Sequence, residues 1–190
     1  MNALIVGARG VGKSTLIRRV LETLGRPVTG FETEKEGDQV HIYDAGVEHA
    51  PTEENLVGLC GETRGMPVPE GFDRYAPRLL VPAKPGSIMK MDELGYLESS
   101  SEAFCRAVLK RLGEEGPVIA AVKDRETDFL RNVRAHPGCR CFFYYGGKPG
   151  CIVWGGPGVC KASVPDPRLN GYSFNGKRRK NLDKKVWIGI

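Results

Sequence analysis

The residues Gly7-Ala8-Arg9-Gly10-Val11-Gly12-Lys13-Ser14 fit the pattern G-x-x-x-x-G-K-[ST] in full. That pattern fixes the local fold, because each residue type has a task. The glycines let backbone amides turn inward around phosphate oxygens. Lys13 supplies a cation for the β- and γ-phosphates, and the Ser14 hydroxyl is a hard oxygen ligand for Mg²⁺. The helix that starts here aims its positive end at the anion. The expected nucleotide-binding residues are therefore Gly7, Ala8, Arg9, Gly10, Val11, Gly12, Lys13, Ser14 and Thr15. Arg9 fills a free position of the pattern and is expected to face solvent. A strand must precede such a loop and a helix must follow it. The apolar run Leu4-Ile5-Val6 supplies the first. Leu16, Ile17, Val20, Leu21 and Leu24 supply the second, before Gly25 and Pro27 stop the helix. The dinucleotide pattern G-x-G-x-x-G is not met.

Beyond the loop, strand and helix signals alternate. Residues 28–34 and 39–44 read as two strands joined by a turn at Glu36-Gly37-Asp38. Residues 46–70 are polar, with scattered Gly and Pro, and carry no periodic signal. A helix is expected over 72–81 and a strand over 87–91. Ser99 with Glu102 three residues on reads as a capping box. The helix after it places Phe104, Val108 and Leu112 on one face and Arg106 and Lys110 on the other. A strand over 118–122, a short helix over 127–135 and a last strand over 139–145 follow. Such alternation predicts an α/β fold with a mostly parallel sheet.

Ser87-Ile88-Met89-Lys90-Met91-Asp92-Glu93 is a mostly apolar strand ending in two acids. Beside a phosphate loop, the first acid of such a pair holds Mg²⁺ and the second can take a proton from attacking water. Asp92 is thus the expected metal-site acid, with Ser14, and Glu93 the expected general base, with Lys13 as its catalytic partner. Lys90 conflicts with a buried parallel strand, which should be apolar throughout. Ligands in open α/β sheets bind beyond the carboxyl ends of strands. That rule nominates Thr33, Glu34, Asp44 and the loop Lys123-Asp124-Arg125, where Arg125 could neutralise transition-state charge. His41, His49 and His136 are isolated and receive no role.

Composition bounds the rest. A chain of 190 residues can bury a full core without staples. It has no apolar run long enough to span a membrane, and its N-terminal apolar run is too short for a signal peptide. Six cysteines in such a chain suggest thiols. Cys139, Cys141, Cys151 and Cys160 match no common zinc spacing. The net charge is +5, and all of it lies in the last fifteen residues, where six bases face the single acid Asp183. From Gly146 onward nine Gly and four Pro fall within 45 residues, the range of low-complexity segments. The expected organisation is a domain over 1–145 and an irregular or partly disordered, Gly/Pro-rich basic tail over 146–190.

Gly7 to Thr15, then Gly30-Phe31-Glu32-Thr33-Glu34, then Asp92-Glu93-Leu94-Gly95-Tyr96-Leu97-Glu98 and Phe104 come in order. Together they resemble the small P-loop nucleoside-triphosphatases first known from thermophiles, a family with a human cancer-related relative. The phosphate loop is generic, and the D-E-[IL]-G-x-[ML]-E stretch is the specific part. The resemblance implies a RecA-like P-loop NTPase domain and Mg²⁺-dependent hydrolysis of ATP, GTP and other nucleoside triphosphates. By position, it implies that Lys13 and Ser14 serve phosphate and magnesium, Asp92 the metal and Glu93 the water. Two departures stand out. Tyr96 occupies the family's usual lysine position, and Phe142-Phe143-Tyr144-Tyr145 runs into Gly146-Gly147 where the family has T-x-E-N-R and a closing helix.

The expected function is hydrolysis of nucleoside triphosphates by water attack on the γ-phosphate. The expected partner is the nucleotide, and the chain is read as a cytoplasmic monomer without membrane attachment. Nucleic acid is not expected, since only the basic stretch 177–185 favours it. Two rivals stay open. One is a small-molecule kinase that passes the same phosphoryl group to a bound hydroxyl. The other is a nucleotide-dependent binding module whose basic tail holds RNA.

Overall fold

In the computed structural model the described residues are 1–61, 65–145 and the backbone of 152–155. The elements run β1 (Asn2–Gly7), α1 (Lys13–Leu24), β2 (Val28–Glu36), β3 (Gln39–Asp44), β4 (Leu56–Leu59), β5 (Met66–Pro67), α2 (Pro69–Leu79) and β6 (Ile88–Leu94). After a 3-10 turn (Glu98–Ser100) come α3 (Glu102–Leu112), β7 (Val118–Lys123), α4 (Asp128–Ala135), β8 (Cys139–Tyr144) and β9 (Ile152–Gly155). The described strands form one sheet in the order β5-β4-β3-β2-β6-β7-β1-β8-β9. Its central five strands, β2, β6, β7, β1 and β8, are parallel, and the outer pairings are antiparallel. This is the flanked α/β sheet expected from the alternation.

Strand alternation splits the core between two faces. Leu4, Val6, Met89, Met91, Val118, Ala120 and Val122 point to the face covered by α2, α3 and α4. Those helices return Phe72, Leu79, Phe104, Val108, Leu112, Phe129 and Leu130. Ile5, Ile88, Ile119 and Ala121 point the other way, where Ile17 and Leu21 of α1 cover them. The predicted faces of α3 hold, since Phe104, Val108 and Leu112 are buried and Arg106 and Lys110 exposed.

Three readings need correction. The cap of α3 is Ser101, whose Oγ accepts from the Phe104 amide at 3.0 Å. Ser99 instead sits in the preceding turn and bonds to the Gly95 carbonyl oxygen and to Thr127. Residues 46–70 are not featureless, because β4 pairs with β3 and β5 with β4 at the sheet edge. Finally, β8 is not the last strand, since β9 pairs antiparallel with it. Apart from β9, the tail expected over 146–190, with its basic stretch 177–185, lies outside the described residues, as do Cys151 and Cys160.

Candidate nucleotide site

The loop between β1 and α1 is built as its glycines require. Gly10 and Gly12 have φ of 76° and 98°, a left-handed backbone that side chains disfavour. Gly12 is also the N-cap of α1, and no side chain caps that helix. Its first-turn amides are thereby left for an anion, whose charge the helix dipole favours. Lys13 is only 4% exposed. Its Nζ donates to the carbonyl oxygens of Gly7 at 3.0 Å and Ala8 at 2.8 Å, which tethers the ammonium inside the loop. Ala8 and Arg9 are exposed at the loop's crest, Ser14 and Thr15 at the start of the helix.

The carboxyl end of β6 meets this loop. Asp92 is buried, and its Oδ1 accepts from Ser14 Oγ at 2.9 Å. Burial raises its pKa, while Lys90 and the Ser14 hydroxyl pull it back. Glu93 turns toward Lys13, with Oε1 2.6 Å from Lys13 Nζ. Its other oxygen, Oε2, lies 3.2 Å from Lys123 Nζ at the end of β7. Thr33 fastens the same turn, since its Oγ1 donates to the Asp92 carbonyl oxygen and accepts from the Glu93 amide at 3.2 Å. The Asp92–Glu93 peptide is cis.

Lys90 now has a physical account. It shares a face with Asp92 on β6, and β2 pairs so that Glu32 lies opposite Asp92. Lys90 Nζ forms an ion pair with Glu32 and sits 3.5 Å from Asp92 Oδ2. Among the described helices only α1 packs on this face, so the lysine remains 12% exposed rather than fully desolvated. A buried charge is tolerated when paired in this way.

Of the residues nominated from sequence, the fold gathers Lys13, Ser14, Thr33, Asp92, Glu93 and Lys123 at one end of the parallel strands. Asp44 is elsewhere, bound by Arg78 at 2.8 Å and by the Tyr75 hydroxyl. Glu34 lies 3.6 Å from His49 on the exposed end of β2. Arg125 is exposed and rests 5.6 Å above the Tyr96 ring. Glu32 was missed. The signal for it was Lys90 itself, because a lysine in a buried strand demands an acid nearby. Glu98 was missed as a site neighbour. It is 2% exposed, accepts from the Gly95 amide at 2.7 Å, and burial pushes its pKa up to about 7.

A family profile described as NTPase matches residues 2–143. The chain belongs to this NTPase family. Among its relatives, "Nucleoside-triphosphatase THEP1" of Thermococcus kodakarensis is 30% identical over 152 residues, covering 69% of this chain and 81% of that protein. The Natranaerobius thermophilus protein of the same name is 28% identical over 148 residues, covering 69% and 81%. Among solved structures, THEP1 from the hyperthermophile Aquifex aeolicus superposes with a TM-score of 0.59 at 22% identity, covering 74% of this chain and 88% of that one. A human cancer-related nucleoside triphosphatase superposes at 0.55 and 21% identity, covering 78% and 89%. The NTPase match spans every residue gathered at the site. Among the described residues no three His, Cys, Asp or Glu side chains form a metal cage. The hard oxygens of Ser14 and Asp92 are the donor set that fits an ion completing its shell with phosphate and water. No described helix is long and apolar enough to cross a membrane.

Proposed function

We propose that this member of the NTPase family hydrolyses nucleoside triphosphates, ATP and GTP among them, to diphosphate and phosphate with Mg²⁺. One observation carries the reading. The tethered lysine of the phosphate loop and the acid after Asp92 meet at 2.6 Å, so cation and candidate base share one point of the site. Ser14 Oγ and Asp92 would hold Mg²⁺, which when bound neutralises charge on the β- and γ-phosphate oxygens. The loop amides and Lys13 stabilise charge on the group being transferred. Lys13 can exchange the Glu93 carboxylate for a phosphate oxygen while it keeps its two loop carbonyls. Glu93 then orients a water in line with the γ-phosphorus and takes its proton. Thr33 holds both polar groups of the peptide that precedes that base.

Phosphate release from ATP and GTP, with and without Mg²⁺, tests this directly in the parent chain and in Glu93→Gln. Nucleotide binding is expected to persist in the variant, while turnover falls on the order of 10²–10⁴-fold. Binding without turnover in the parent chain overturns the hydrolase reading. Diphosphate that forms only when a hydroxyl acceptor is supplied, with the phosphoryl group transferred to that acceptor, identifies a kinase instead. Cys60, Cys105 and Cys139 are free thiols, which supports residence in a reducing compartment such as the cytoplasm.

A further inference from the structure

Lys123 belongs to neither the phosphate loop nor the acidic strand, yet it reaches the centre of the site. The pairing of β7 with β1 sets Lys123 beside Gly7, the first residue of the loop. From there its side chain crosses over Gly95 and brings Nζ to 3.2 Å from Glu93 Oε2. The passage is tight. A Cβ on Gly95 would stand 2.7 Å from Lys123 Cδ, 3.1 Å from Nζ and 3.2 Å from Glu98 Oε2. Gly95 therefore leaves the space the lysine occupies, although its own backbone is not in the left-handed region. The ammonium also lies 5.6 Å from the centre of the Tyr96 ring. Lys123 is 19% exposed and Glu93 20%, so the pair is largely withdrawn from water.

The two lysines on Glu93 differ in their other duties. Lys13 is bound to the loop carbonyls and faces the phosphate position, so nucleotide competes with Glu93 for it. Lys123 is bound to no loop carbonyl and approaches the other carboxylate oxygen. We infer that Lys123 is a positioning residue for hydrolysis: it anchors Glu93 through Oε2 and leaves Oε1 to water once Lys13 turns to phosphate. This rests on the reading of Glu93 as base. Anchoring matters because a displacement of about 1 Å at a reacting group can cost on the order of 10²-fold in rate.

The test uses the full chain with ATP and Mg²⁺, measuring kcat, KM and nucleotide Kd. The variants are Lys123→Met, Lys123→Arg, Glu93→Gln and the double variant Glu93→Gln/Lys123→Met. We expect Lys123→Met to lower kcat on the order of 10²-fold with Kd unchanged, and Lys123→Arg to recover most of the loss. The double variant should be no slower than Glu93→Gln alone, because a residue acting through Glu93 has nothing left to position. Parent-like kcat in Lys123→Met overturns the inference. So does a double variant slower than Glu93→Gln by the full Lys123→Met factor, which would mean that the lysine acts on phosphate independently. If Glu93→Gln turns over at the parent rate, the base assignment falls and the anchor with it. If Glu93→Gln is slow and Lys123→Met is not, only the anchor falls. Gly95→Ala gives a second route should Lys123→Met fail to fold. It keeps the charge but crowds the stem, and it should lower kcat while sparing Kd; parent-like kcat there overturns the anchor as well.

Discussion

Glu98 shows how one residue can link the site to stability. Its carboxyl is buried against Gly95, whose amide it accepts from, and burial pushes its pKa up to about 7 from an ordinary 4.5. Lys123 works against that shift but does not cancel it. The folded chain thus keeps a proton that the unfolded chain gives up near pH 4.5. The resulting stabilisation is complete below that pH, declines as the pH rises toward about 7, and is gone above it. Its size is on the order of 3 kcal/mol at most. Urea midpoints at about pH 5 and about pH 8 should therefore fall in the parent chain, and Glu98→Gln should flatten that fall. A variant with the same slope as the parent would remove Glu98 from the account. None of this was legible along the chain, because a carboxyl pKa depends on which groups fold around it.

At the scale of elements, α3 turns on a single hydroxyl. Ser101 Oγ accepts from the Phe104 amide and donates to Asp73 Oδ1 of α2 at 2.5 Å, so it caps one helix and ties it to another. Ser101→Ala should cost about 1 kcal/mol, read as a drop in urea midpoint, with Ser99→Ala costing less. The sequence Ser99-Ser100-Ser101 offered several caps, and the pattern favoured Ser99 because an acid stands three residues on. Packing chose Ser101 instead, since the helix must begin where Phe104 and Val108 reach the sheet. The parallel strands and α1 were legible because their apolar runs and stripes are local. The short edge strands β4 and β5 were not, since neighbours rather than composition define them. Asp92 and Glu93 were legible as adjacent acids at a strand end. The partners that hold them, Glu32, Thr33 and Lys123, come from other strands, and only Thr33 and the loop of Lys123 could be nominated by topology.

For the whole molecule, the larger apolar cluster depends on Phe104. Its ring, on α3, meets Phe31 of β2 edge-on at 5.3 Å and Phe72 of α2 at 5.0 Å, joining the sheet to two of the three helices on that face. Phe104→Ala should cost about 3–5 kcal/mol, a large share of the 5–15 kcal/mol that holds a domain together. Thermal unfolding in the presence and absence of nucleotide checks this: the midpoint should drop, and ligand should restore part of it. The α/β class and the match over most of the chain followed from the motif and its strand–helix context, whereas the sheet order needed long-range pairing that no local pattern encodes. That order also bears on how the protein is made. β1 lies between β7 and β8, which start only at Val118 and Cys139. A ribosome thus extrudes β1 and its loop well before the two strands that flank them. In the interval the apolar segment Leu4-Ile5-Val6 has no partner strand on the newborn chain. It is the kind of stretch that holdase chaperones shield and that aggregates when they do not.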